Sequence, residues 1–191
     1  VLPGVTKACN EFLADKKESM VIKHNQGIII NDAGFDLFGS DSTSAKYVYL
    51  MDYDTGRVLL EKASNIPTAP ASMSKLMTIY MAFEALKQER ISLDTELVVS
   101  ENAWRKKDEK GISLPASGST MFLEPLTKVS FEDLLRGIIV QSGNDACIVI
   151  SEALSGSEEG FANDMNQKAK LLNLNNSNFT NSTGWPHKDH K

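Results

Sequence analysis

Apolar residues fall into a few dense blocks separated by polar stretches that contain Gly and Pro. Tyr47, Tyr49 and Met51 alternate against Val48 and Leu50, Asp54-Thr55-Gly56 supplies a turn, and Val58-Leu59-Leu60 returns. This predicts a hairpin over Ala45 to Lys62, and apolar or aromatic residues on both faces predict strands covered on both sides. After Pro67 and Pro70 comes Leu76-Met77-Thr78-Ile79-Tyr80-Met81-Ala82-Phe83-Glu84-Ala85-Leu86, apolar nearly all the way round. A helix ending near Arg90 and buried at the centre of a domain is the expectation, with Met73, Met77, Tyr80 and Met81 as core.

Glu96 to Val99 reads as a brief strand, and Asn102 to Pro125, broken by Gly111, Pro115 and Gly118, as a long irregular loop. Ser130, with Asp133 three residues on, resembles a helix start. That helix runs through Val140, breaks at Gln141-Ser142-Gly143-Asn144, and resumes to Leu154 before Gly156. Ser157 to Leu172 is a further amphipathic helix, with Phe161, Met165, Ala169 and Leu172 in register. Asn173 to Lys191 is a polar tail. Residues 1–44 show only scattered helical spacing and one strand-like run, Gly27 to Ile30, and are read as an extension of unknown role. The remainder, 45–191, has the mixed pattern of an α+β domain.

Two short polar groups stand out against these apolar blocks. Ser72 and Lys75 are three residues apart at the head of the first helix, so their side chains share a face. A serine hydroxyl becomes a nucleophile when a neighbouring base takes its proton, and a lysine buried against apolar residues can serve as that base. The first turn of a helix adds unpaired N–H groups that favour charge developing on an acyl oxygen. In the alternative, Ser72 merely caps the helix and Lys75 snorkels to solvent. The second group is Ser142-Gly143-Asn144, where glycine lets the backbone turn sharply so that a hydroxyl and a carboxamide both reach a cleft. Here the alternative is a plain turn in which Asn144 caps the next helix.

Composition narrows the functional classes. The net charge of −5 over 191 residues argues against nucleic acid as the main partner. No segment approaches the roughly 18–20 continuous apolar residues of a membrane span. Cys9 and Cys147 are far apart, and Cys147, in the run Ala146 to Ile150, reads as a buried free thiol. His187, Asp189 and His190 at a polar terminus read as solvated rather than ligating, and no metal or other cofactor is expected. Trp104 and Trp185 read as packing residues.

In combination, the motifs resemble a known family. Ser72-Met-Ser-Lys75 and Ser142-Gly-Asn144, together with Tyr49 to Gly56, Thr120 to Pro125, Leu135 to Cys147 and Asn178 to Gly184, are similar to the penicillin-binding DD-peptidases. The likeness is greatest to the D-alanyl-D-alanine carboxypeptidases, low-molecular-mass penicillin-binding proteins of the serine β-lactamase-like superfamily. It covers roughly residues 45 to 187. The resemblance implies a helical cluster packed on an antiparallel sheet. It implies Ser72 as nucleophile, Lys75 as general base, Ser142 as proton relay and Asn144 as a substrate-binding residue. It also implies action on the D-Ala-D-Ala ends of peptidoglycan pentapeptides and acylation by β-lactam antibiotics. The expected location is periplasmic or otherwise extracytoplasmic, with contact to the inner membrane only through a C-terminal segment absent from this sequence.

Two departures accompany the resemblance. The family's third motif, Lys-Thr-Gly on a later strand, is missing, so the chain is expected to lack the C-terminal strands that complete the sheet. Residues 1–44 are longer than the family's usual start and unlike it. A β-lactamase or DD-endopeptidase of the same superfamily, and an inactive scaffold fragment, are the alternative readings.

Overall fold

The computed structural model describes residues 43–104 and 118–191. The readings of residues 1–42, Cys9 and the middle of the Asn102–Pro125 loop therefore lie outside the described residues. Two compact units divide at Ile66 and Pro67.

In the first unit, β1 (Val48–Met51) pairs antiparallel with β2 (Val58–Lys62), with Leu50 opposite Leu60 and a shift in register after Leu50. The turn is tied by Asp52, whose Oδ1 accepts from the Thr55 N–H at 2.8 Å and the Thr55 hydroxyl at 2.5 Å. These bonds hold the Asp52 carboxyl below its usual range. Gly56, at φ +69°, takes the left-handed position. The hairpin is as expected, but its covering is not. Tyr49, Met51 and Tyr53 are 58%, 49% and 95% exposed. Among the described residues each strand pairs only with the other, in a two-stranded sheet.

The second unit is a helical cluster with its own two-stranded sheet. A 3-10 turn, Ala71–Ser74, leads into α1 (Lys75–Lys87). Then come β3 (Glu96–Val98), the short α2 (Glu101–Trp104), β4 (Lys128–Ser130), α3 (Phe131–Gln141), α4 (Asn144–Ser155) and α5 (Glu158–Leu171). Strand β4 is absent from the sequence reading. Its three residues are too few to show an alternation, and it exists because Leu97 and Val129 face each other across an antiparallel ladder. Ser130 ends β4 and caps α3, accepting from the Asp133 N–H at 3.1 Å as the capping pattern predicts. Ser157 caps α5 in the same way, accepting from the Gly160 N–H at 3.0 Å.

The helix buried on every side is α4, not α1. Asp145 through Ser151 are all buried, and α4 packs against α1, α2, α3 and α5. Its apolar side chains meet Phe131, Leu134, Leu135 and Ile138 of α3 and Ala82 of α1 in the larger core. A smaller core joins Met77 and Met81 of α1 to Phe161, Met165 and Ala169 of α5 and to Phe179. Helix α1 touches both cores with one side only. Met73, Leu76 and Tyr80 are 63%, 71% and 43% exposed, so the expected burial of Met73 and Tyr80 does not hold. Burial along α1 instead follows contact with α3 and α4 in the larger core and with α5 and Phe179 in the smaller one.

The polar tail is folded. Asn181 Oδ1 accepts from the N–H groups of Thr183, Gly184 and Trp185, forming a tight turn whose residues 181–184 are buried. The Thr78 hydroxyl of α1 donates to the Ser182 carbonyl at 2.6 Å. His190 is buried at 4% exposure, contrary to the expectation of a solvated terminal histidine, whereas His187 is exposed as expected. Among the described residues no acidic, His or Cys cluster suits a metal ion, and no helix is long and apolar enough to cross a membrane.

Candidate active site

Ser72 lies in the 3-10 turn rather than on an α-helix. With three residues per turn, positions i and i+3 stand directly over one another. Lys75 Nζ accordingly sits 3.1 Å from Ser72 Oγ. Ser72 is exposed, while Lys75 is buried at 4% exposure, so an accessible hydroxyl is paired with a shielded amine. Burial pushes the Lys75 pKa below its ordinary 10.5. A Cys147 thiolate would oppose that shift, but burial raises the Cys147 thiol to about 12 and leaves it neutral at physiological pH. Desolvation of the ammonium therefore decides the direction. Cys147 itself is a buried free thiol, as its apolar neighbours predict.

Ser142 and Asn144 occupy the junction between α3 and α4, both half-buried. The junction is a left-handed cap: Ser142 N–H donates to the Ile138 carbonyl four residues back, and Gly143 N–H reaches further, to the Gly137 carbonyl, both at 3.0 Å. The left-handed residue in it is Ser142, at φ +58°, not Gly143. Gly143 caps α4 at an ordinary φ of −61°, so Asn144 is not the capping residue. A Cβ at 143 would lie 3.1 Å from both Met121 Cγ and Asp145 Oδ1, a tight contact to which those side chains would have to yield by a few tenths of an ångström. A serine held left-handed where glycine is favoured is strained by roughly 1 kcal/mol. We expect Ser142→Gly to unfold at the same or a higher denaturant concentration and yet to lose acyl-transfer activity. A loss of stability in that variant would show that the serine side chain supports the junction by more than its left-handed strain costs.

Asp145 anchors the junction to the chain before it. Its carboxylate accepts from Met121 N–H at 2.9 and 3.0 Å, Leu123 N–H at 3.1 Å and Ala146 N–H at 2.9 Å. Asn144 N–H donates to the Ser119 carbonyl at 2.8 Å, and the Ser119 hydroxyl donates to the Gln141 carbonyl. Met121 fills the notch left by Gly137, where a Cβ would be 1.8 Å from its Sδ. The Asn144 carboxamide lies beside Gly118 and near the Trp185 ring. The Ser72 turn and the head of α1 thus form one polar group, and the α3–α4 junction with the 118–123 stretch forms another. No hydrogen bond joins Ser142 Oγ to Ser72 or Lys75; the junction is connected to them through the packing of α1 on α3 and α4.

The sequence profile of the D-alanyl-D-alanine carboxypeptidases matches residues 37–191. The chain belongs to this family. It is 41% identical over 146 residues to the D-alanyl-D-alanine carboxypeptidase DacF of Bacillus subtilis, covering 76% of this chain and 35% of that relative. With DacC of Escherichia coli it shares 41% over 138 residues, or 72% of this chain and 34% of the relative. Among solved structures it is similar to the carboxypeptidase DacD from Francisella tularensis, with a TM-score of 0.71 and 34% identity, covering 87% of this chain and 37% of that one. Penicillin binding protein 5 from Haemophilus influenzae follows at a TM-score of 0.68 and 36% identity, over 76% of this chain and 40% of that one. The chain thus spans about a third of the length of the curated family members it matches. The family's α+β fold is shared.

Within this family member the structure brings Ser72 and Lys75 into direct contact and holds Ser142 and Asn144 on one rigid turn. The supporting residues Ser74, Asp145, Asn181, Gly184 and His190 carry no role in the sequence reading. Asp145 had a visible signal: a carboxylate opening the apolar run Ala146 to Ile150 needs partners if it is to be buried. His190, in a polar tail, had none.

Proposed function

We propose that this chain is the N-terminal part of a serine-type D-alanyl-D-alanine carboxypeptidase that acts outside the cytoplasmic membrane on peptidoglycan stem peptides, with residues 45–191 belonging to its catalytic domain. The observation that carries this reading is an exposed Ser72 hydroxyl 3.1 Å from the buried Lys75 amine. In its neutral form Lys75 accepts the Ser72 proton as Oγ attacks the carbonyl of the penultimate D-alanine. The C–N bond breaks, terminal D-alanine leaves with a proton relayed through Ser142, and an ester on Ser72 remains. Asn144 holds the amide on the acyl side. Water then gives a proton to Lys75 as it attacks the ester, the acyl C–O bond breaks, and Lys75 returns that proton to Ser72 Oγ, which restores the starting state.

A β-lactam presents the same serine with a strained amide whose leaving group stays attached, so the acyl group persists on Ser72. Benzylpenicillin is therefore the direct probe of the reading, with Ser72→Ala as its control. Residues 1–44 have no role in this scheme, and no step calls for a metal or cofactor.

A further inference from the structure

Between the two members of the Ser72–Lys75 pair lies Ser74, 2% exposed, whose hydroxyl caps nothing in its own helix. It is instead bound to His190 Nε2 at 2.7 Å, across 116 residues of sequence. The other ring nitrogen, Nδ1, faces Thr180: the backbone N–H lies at 3.3 Å and the hydroxyl at 3.0 Å. A backbone N–H can only donate, so Nδ1 is the acceptor and the ring proton sits on Nε2, pointing at Ser74 Oγ. Burial, reinforced by His187, lowers the His190 pKa below 6.5, which keeps the ring in this neutral form. Phe179 packs edge-on to the imidazole, with centroids 5.8 Å apart. The segment is closed behind the ring, where Lys191 N–H donates to the Asn178 carbonyl at 3.0 Å and the Asn178 side chain donates to the Asp189 carbonyl at 2.6 Å.

We propose that His190 is a positioning residue: through Ser74 it fixes the 3-10 turn that presents Ser72 to Lys75. This rests on the reading of Ser72 as nucleophile. The other restraints on the turn are the Met73 N–H bond to the Pro70 carbonyl at 3.1 Å and the close approach of Gly184 to the Ala71 carbonyl. Ser72 and Met73 are exposed, and Ala71 is held at φ +48°, a conformation that an alanine keeps only when its surroundings impose it. Ser74 is the buried foot of the turn, and its hydroxyl is fixed from outside the helix by the imidazole.

The test is the rate of acylation by benzylpenicillin in the full chain, measured at a temperature where every variant is folded by circular dichroism. His190→Ala is expected to slow acylation on the order of 10–100-fold, the size of effect that follows a small misplacement of a reacting group. His190→Gln, whose carboxamide can still donate to Ser74 and accept from Thr180, is expected to recover most of that loss. Ser74→Ala should match His190→Ala, and the double variant should add nothing further, because both remove one bond. Parent-like rates in His190→Ala, a lack of rescue by His190→Gln, or additive losses would overturn the proposal. If the parent chain itself takes no acyl group, the functional reading fails separately. The positioning claim is then read from the pH titration of the Lys75 side-chain nitrogen by NMR. A titration shifted in both His190→Ala and Ser74→Ala supports it, and an unshifted one overturns it.

Discussion

Lys75→Met is expected to lower the rate of acylation by benzylpenicillin about 10²–10⁴-fold, the range attributable to a positioned general base, while leaving the fold at least as stable as the parent. The two halves of that expectation have one cause. Lys75 is buried with a single neutral hydrogen-bond partner, Ser72 Oγ, so its charged form is disfavoured and its pKa lies below 10.5. At pH values under the lowered folded-state pKa, folded and unfolded chains both carry the proton, and the fold bears the full penalty of burying it. As pH rises through that pKa towards 10.5, the folded chain sheds the proton first, and stability increases across this window. Methionine has similar reach and no charge to bury. The variant should therefore gain on the order of 1 kcal/mol near neutral pH and lose the upward slope.

The parent's acylation rate should rise with pH over the same lower region, since only the neutral amine can accept the Ser72 proton. Denaturant titrations at several pH values, run beside the acylation assay, read both effects. A Lys75→Met chain that acylates at the parent's rate, or that unfolds, would show that the amine is not the base or that its charge stabilises the fold.

Gly184→Ala is expected to destabilise the chain by roughly 2–5 kcal/mol, combining overpacking with a left-handed alanine. Gly184 has φ +81°, and a Cβ there would fall 1.8 Å from the Ala71 carbonyl oxygen and 3.1 Å from Ser74 Oγ. Both are parts of the turn that carries Ser72. A backbone carbonyl cannot rotate away as a flexible side chain can, so the turn must move or the tail must detach. Acylation should fall in the molecules that remain folded, since relief of the clash displaces Ala71 next to the nucleophile. Gly156→Ala is the control: it is also left-handed, at φ +77°, but a Cβ there meets nothing within 4 Å. The excess loss in Gly184→Ala over Gly156→Ala measures the close approach alone. Equal losses would mean that the approach imposes nothing on the turn.

Local pattern made much of this fold legible. The hairpin follows from alternation around Asp54-Thr55-Gly56, α3 from Ser130 and Asp133 ahead of an apolar face, and α5 from Phe161, Met165 and Ala169 at helical spacing. The Ser72–Lys75 contact was legible because three residues of spacing bring side chains together in any helical turn. Long-range packing was not legible. Which of two apolar helices lies at the centre depends on what surrounds it, so α1 was read as buried all round when α4 is. The same holds for the tail: Asn181, Gly184 and His190 look like linker chemistry until the chain returns them to Ala71 and Ser74. At the α3–α4 junction the glycine was visible but the conformation was not, because Ser142 and not Gly143 takes the left-handed position.

The central claim is that Ser72 is an acylable nucleophile activated by Lys75. Its most direct test is the intact mass of the chain after incubation with benzylpenicillin, alongside Ser72→Ala under the same conditions. The account predicts one penicilloyl group on the parent chain, located to Ser72 by peptide mapping, and an unmodified mass for the variant. An unmodified parent, or an adduct that persists in Ser72→Ala, would contradict it.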